Sequence, residues 1–191
     1  LIGSLIIKTS KSKLVNRSVL INKSGKINCY YDKIHMYDVN LSKKEKYFES
    51  RIFTPGKKIK FAKLPWGKIG LSICYDLRFP ELFRLQHEKK IDVIILPASF
   101  TEQTGKVHWE TLIKARAIEN LSFVVSSCQG GYHINGKKTF GHTMIVNPWG
   151  QTLDVLENGK GFISSDIDLS QLKSIRENFP VLEHMKLINK K

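Results

Sequence analysis

A layered α/β domain is predicted by three observations: short continuous apolar runs, helical patterns between them, and turn residues at the junctions. Ile69 to Ile73 and Val93-Ile94-Ile95-Leu96 are runs of strand length, and Pro80 to about Lys89 between them has a helical pattern opened by a proline. Pro97 closes the second run. His108 to Asn120 is the next helical stretch, with Trp109, Leu112, Ile113, Arg116 and Ala117 on one face, and Phe123 to Ser127 is the strand after it.

The remaining elements follow in order. Leu1 to Ile7 reads as a buried strand, and Val15 to Ile21 and Ile27 to Tyr31 form a hairpin through Asn22-Lys23-Ser24-Gly25, which places Lys33 just beyond the second strand. Asp38 to Gly56 has weak periodicity and is expected to be a long loop with a short helical piece near Lys43 to Phe48. Ile59 to Leu64 and Lys68 to Ile73 flank the turn Pro65-Trp66-Gly67 and deliver Cys74. An antiparallel series is expected over Met144 to Asn147, Thr152 to Leu156 and Phe162 to Ile167, then a helix from Asp168 to Asn178 with Asp168 as its cap, and a tail over 180–191.

With 191 residues, 41% of them hydrophobic and 25% charged, the chain has the composition of a single globular domain. Apolar runs are too short for a transmembrane helix, and Leu1 to Ile7 lacks the basic flank and cleavage pattern of a signal peptide, so no membrane association and a cytoplasmic location are expected. The cysteines Cys29, Cys74 and Cys128 are odd in number and lack metal-ligand spacing, which argues against a disulfide framework and against a zinc site. The formal charge of +14 comes from lysines scattered in ones and twos, without the basic and aromatic clustering of a nucleic-acid surface. An acidic small substrate is an equally good use of that field.

Cys74 ends its strand just before the helix that opens at Pro80-Glu81, and a strand-to-helix turn presents a side chain into a cleft beside backbone N–H groups. A buried cysteine is ordinarily a small hydrophobe, but here the thiol is placed to be a nucleophile. A cation nearby would favour the thiolate and could hold an oxyanion, and Lys33, in Tyr31-Asp32-Lys33-Ile34-His35, is the candidate. Asp76 and Arg78 are expected to pair and fix the turn, with Glu110, Arg116 and Glu119 structural.

These motifs resemble the nitrilase superfamily of carbon-nitrogen hydrolases. The resemblance runs through Tyr-x-Lys-x-His at Lys33, Gly70-Leu71-Ser72-Ile73-Cys74-Tyr75-Asp76-Leu77-Arg78-Phe79-Pro80-Glu81, Arg116-Ala117-Ile118-Glu119-Asn120, Gly141-His142-Thr143-Met144 and Asn147-Pro148-Trp149-Gly150. It implies an α-β-β-α four-layer sandwich that assembles as homodimers or larger oligomers. It also implies catalytic roles for Cys74 and Lys33, with Glu49 supporting the lysine and Tyr75, Phe100 and Thr101 about the substrate. No metal or organic cofactor is implied. Cys128-Gln129-Gly130-Gly131-Tyr132-His133 is most similar to the Nit branch, for which the implied small-molecule amide is deaminated glutathione, with α-ketoglutaramate as the alternative.

The implied mechanism has a glutamate take the proton of Cys74, whose thiolate attacks the amide carbonyl. The oxyanion is held by Lys33 and the Tyr75 N–H, the nitrogen leaves, and water releases the acid from the thioester. That glutamate lies upstream of the lysine in the superfamily, yet residues 1–31 contain no Asp or Glu. The chain is therefore expected to begin after the first β-α units and to be inactive alone, or to be a non-catalytic partner subunit.

Overall fold

The computed structural model describes residues 2–43, 45–134 and 136–186. β1 (Ile2–Lys8), β2 (Leu14–Ile21) and β3 (Ile27–Asp32) pair antiparallel in a sheet of their own, and β4 (Asp38–Asn40) and β5 (Lys46–Phe48) form a small hairpin. β6 (Lys60–Leu64) and β7 (Gly67–Leu71) then enter the main sheet. α1 (Pro80–His87) leads to β8 (Val93–Ile95), and α2 (Glu102–Asn120) leads to β9 (Phe123–Ser126), so that β7, β8 and β9 run parallel. The hairpin of β10 (Gly130–Tyr132) and β11 (Lys138–Phe140) precedes β12 (Thr143–Val146) and β13 (Thr152–Leu156), and α3 (Leu169–Asn178) follows. The six strands of the main sheet lie in the order β13-β12-β9-β8-β7-β6.

Alternation along β8 and β9 separates two packing faces, because neighbouring side chains on a strand point opposite ways. Ile94 and Val124 join Trp109, Ile113 and Ala117 of α2 and Leu82 and Phe83 of α1 in the principal core. Val93 and Phe123 pack instead with Leu172 of α3. Asp168 caps α3 as expected, accepting from the N–H groups of Ser170 and Gln171. Among the described residues no helix is long and apolar enough to cross a membrane.

Several boundaries depart from expectation. α2 begins at Glu102 rather than His108: the Thr101 side chain accepts from the Thr104 N–H, a cap that makes up for the weak apolar period of the first turn. Gly105 lies in that early stretch because a Cβ there would sit 2.3 Å from the Phe140 side chain, so its absence lets α2 lie against β11. The helical piece expected near Lys43 to Phe48 is instead the strand β5, with Lys44 outside the described residues, and a short 3-10 helix follows at Glu49–Arg51.

Phe162 to Ile167 is not a strand. Phe162 is exposed and the Ser164 N–H is held by the Asp154 carboxylate, which gives the segment a side-chain tether in place of a backbone ladder. β1 is not buried along its length either, since it pairs only with β2 and leaves Leu5 54% and Ile6 67% exposed. Leu1 lies outside the described residues. The tail packs on its own domain as far as it is described: Leu182 is buried and the Met185 sulfur lies 3.6 Å from Arg84 Nη1.

Candidate active site

Backbone pairing continues beyond the end of β7 and carries the chain to the thiol. The Ser72 N–H donates to Ile95 O at 3.1 Å and the Cys74 N–H to Pro97 O at 3.0 Å. Cys74 then opens a 3-10 helix, Cys74–Arg78, with a left-handed φ of 49°. A non-glycine residue in that region costs about 1–2 kcal/mol, so surrounding bonds must hold the turn.

Asp76 supplies those bonds. Its carboxylate is fully buried and accepts from the Ile73 N–H at 2.9 Å, the Tyr31 hydroxyl at 2.8 Å and the His35 N–H at 3.2 Å. His35 Nδ1 lies 2.7 Å from the same carboxylate, and the His35 ring stacks on Phe79 at 3.7 Å. Tyr31 and His35 flank Lys33, so one buried carboxylate ties the thiol-bearing turn to the lysine-bearing loop. The expected Asp76–Arg78 pair is not formed, because every strong donor to Asp76 comes from the facing loop or the turn itself. Arg78 turns instead to His108 Nδ1 at 3.2 Å and to the faces of Phe100 and Tyr75.

Lys33 is only 2% exposed and its ammonium donates to the Glu49 carboxylate. Glu49 also accepts from the Tyr37 N–H at 2.7 Å, which fixes it from a second side. The Lys33 N–H donates to Asn16 O and its carbonyl accepts from the Gly56 N–H, so the backbone is anchored on both sides. Burial pushes the Cys74 thiol above its ordinary pKa, and the Lys33 ammonium is the largest influence drawing it back.

All six residues singled out from sequence, Lys33, Glu49, Cys74, Tyr75, Phe100 and Thr101, line one cavity of about 980 Å³. That volume is at the upper end for small-molecule sites. Phe100 packs edge-on against Trp109, and the Thr101 hydroxyl lies 2.7 Å from that of Thr104. Arg78, Tyr37 and Cys128 also line the cavity and had no substrate role in the sequence reading. Among the described residues no three His, Cys, Asp or Glu side chains converge as metal ligands do.

The profile of the carbon-nitrogen hydrolase family matches residues 1–177. The deaminated glutathione amidase of Dictyostelium discoideum is 39% identical over 188 residues, covering 97% of this chain and 65% of that protein. The protein of the same name from Yersinia enterocolitica is 37% identical over 191 residues, covering 98% of this chain and 67% of its own length. The chain thus spans about two thirds of the length of these relatives.

Among solved structures, Saccharomyces cerevisiae Nit3, described as a member of branch 10 of the nitrilase superfamily, superposes with a TM-score of 0.83 at 28% identity, covering 98% of this chain and 64% of that one. The Caenorhabditis elegans NitFhit protein superposes at 0.86 with 34% identity, covering 96% of this chain and 45% of that one. The fold is that of the nitrilase superfamily, and the chain belongs to the carbon-nitrogen hydrolase family.

Proposed function

We propose that this chain carries the acyl-transfer half of an amidase site and that its substrate is deaminated glutathione, cleaved to 2-oxoglutarate and cysteinylglycine. The observation that carries the reading is the convergence of Cys74, on a strained turn, with the buried Lys33 and its partner Glu49 in one cavity. The names of the relatives support the choice of substrate.

In the proposed reaction the Cys74 sulfur forms a bond to the amide carbonyl carbon, and the carbonyl oxygen takes up negative charge. Lys33 and the Tyr75 N–H, in the first turn of the 3-10 helix where N–H groups lack helical partners, stabilise that oxyanion. The C–N bond breaks and the nitrogen departs as the amine, carrying the proton that the base took from the Cys74 thiol, and a thioester remains. Water then cleaves the S–C bond, giving the carboxylic acid and regenerating the thiol. Arg78 lines the same cavity and, among the described residues, pairs with no carboxylate, which suits it to anchor the acid group of the acyl chain.

The proton of Cys74 needs an acceptor, and Glu49 is committed to Lys33 and to the Tyr37 N–H. We infer that the general base is not among these 191 residues, which lowers amide turnover by about 10²- to 10⁴-fold. An activated ester removes the need for an acid at the leaving group, because p-nitrophenolate departs without a proton, and alkaline buffer takes the proton of the Cys74 thiol in place of the base. The 191-residue chain treated with a p-nitrophenyl ester should release a stoichiometric burst of p-nitrophenolate and carry the acyl mass on Cys74, while hydrolysing deaminated glutathione only slowly. Acylation elsewhere on the chain would overturn the nucleophile. Amide turnover at the rate of the longer relatives would overturn the missing base.

A further inference from the structure

The Tyr37 hydroxyl stands out among the groups lining the cavity. Its ring makes an edge-on contact with Tyr75 at 4.9 Å and a tilted one with Tyr47 at 5.1 Å. Its backbone N–H holds Glu49. Its phenolic oxygen, however, is buried and meets no partner in hydrogen-bond geometry. The Thr101 and Thr104 hydroxyls are near enough to act on the phenol as weak hydrogen-bonding groups, drawing its pKa back from where burial pushes it, but they lie outside hydrogen-bond geometry with it and 2.7 Å from each other. The Arg78 guanidinium and the Cys74 thiol also act on the phenol electrostatically, and all of these groups line the one cavity. A buried donor left unpaired costs about 1–3 kcal/mol, so a fold that keeps one at a cavity wall has a use for it.

We infer that Tyr37 is a specificity-determining residue whose hydroxyl donates to the acid group of the substrate's acyl chain, sharing that carboxylate with Arg78. This rests on the amidase reading of the cavity. The chemistry is complementary on both sides: Arg78 brings a cation without a carboxylate partner, and Tyr37 brings a donor without an acceptor. A carboxylate oxygen has lone pairs for both. The phenol oxygen is closed to solvent in the unliganded protein, so a carboxylate reaches it through a side-chain rotation at the cavity wall, a kind of change common on binding. A site built to hydrogen-bond a substrate group discriminates strongly against an analogue that lacks it, so Tyr37 would select acyl chains ending in a carboxylate.

The test uses two small acids with the 191-residue chain. 2-Oxoglutarate carries the carboxylate in question, and 4-oxopentanoate is the same skeleton with a methyl group in its place. By calorimetry, Tyr37→Phe should weaken 2-oxoglutarate binding about tenfold and leave 4-oxopentanoate binding unchanged. The melting temperature should hold or rise, since the substitution removes a buried unpaired hydroxyl. Unchanged 2-oxoglutarate binding, equal weakening of both acids, or no detectable binding to the parent chain would overturn the assignment. A fall in melting temperature or failure to fold would make the hydroxyl structural, which also overturns it. Iodoacetamide labelling reads the nucleophile separately: if Cys74 is not the labelled thiol while the two acids are still discriminated, the amidase reading fails and the carboxylate site stands.

Discussion

Cys74 and Cys128 are two thiols in the wall of one cavity, each just past the end of a parallel strand of one sheet, and they are prepared for different work. Backbone pairing places them on either side of the segment that follows β8: the Cys74 N–H donates to Pro97 O, and Ala98 bridges Cys128. Cys74 sits in left-handed backbone with Lys33 drawing its pKa down against burial. Cys128 is buried, its N–H is bonded to the Thr143 hydroxyl at 3.0 Å, and burial pushes its thiol up to about 12. Position at a sheet edge is thus common to both thiols, and what separates Cys74 is its left-handed backbone and the Lys33 charge that acts on its sulfur.

The largest effect should come from removing the sulfur itself. Cys74→Ala should abolish the acyl adduct formed with an activated ester, and Cys128→Ala should leave the adduct intact, as read by intact-protein mass. An adduct of equal yield in Cys74→Ala would erase the distinction between the two thiols.

Lys33 tests what the cation adds. Lys33→Met removes an oxyanion donor, and acylation of Cys74 should slow by about 10²- to 10³-fold. It also removes the influence lowering the thiol pKa and leaves Glu49 unpaired, whose charge raises it further. The thiolate therefore forms at higher pH in the variant. Iodoacetamide labelling of Cys74 against pH should shift to more alkaline values, while the profile of Cys128 stays in place. Identical Cys74 profiles in parent and variant would show that the ammonium does not act on the sulfur.

Asp76 tests whether the turn depends on its fastening. Asp76→Asn keeps the shape but replaces one acceptor oxygen with a donor that faces the Tyr31 hydroxyl and the Ile73 N–H, or the His35 groups. Loss of a charged acceptor in a buried network should destabilise the chain by about 2–3 kcal/mol in denaturant unfolding and slow the labelling of Cys74 more than that of Cys128. Equal slowing at both thiols would mean that Asp76 supports the whole sheet edge and not the turn.

Much of this contrast is legible in the sequence, and the physical reasons for the gaps are specific. β7, β8 and β9 are short, apolar and buried, so continuous runs reveal them, and the Asp168 cap reveals α3 because its side chain acts within three residues. Cys74 and Lys33 stand out because their motifs put chemistry at element ends. The partners of Asp76 were not legible, since the nearest cation in sequence, Arg78, loses to three groups more than forty residues away, the Tyr31 hydroxyl and the N–H and ring Nδ1 of His35. Tyr37 was hidden for a related reason: an unsatisfied hydroxyl is a property of the neighbours around it. β1 read as buried because apolar composition carries no information about which strand lies at a sheet edge.

The smallest effect separates the two thiols by stability. Cys128→Ala removes one buried sulfur, and at neutral pH it should cost about 1 kcal/mol through lost packing. The folded-state pKa of about 12 lies above the ordinary value of 9, so the folded chain keeps its thiol proton where the unfolded chain has lost it. The resulting stability is fully present below pH 9 and is lost as the pH rises from 9 towards 12, at no more than about 1.4 kcal/mol per pH unit. Other groups titrate in that range, so the informative quantity is the difference between parent and variant. That difference should shrink above pH 9, because only the parent carries the Cys128 proton linkage. A gap that stays constant to pH 11 would mean that Cys128 ionises like an exposed thiol, and burial would no longer explain why it differs from Cys74.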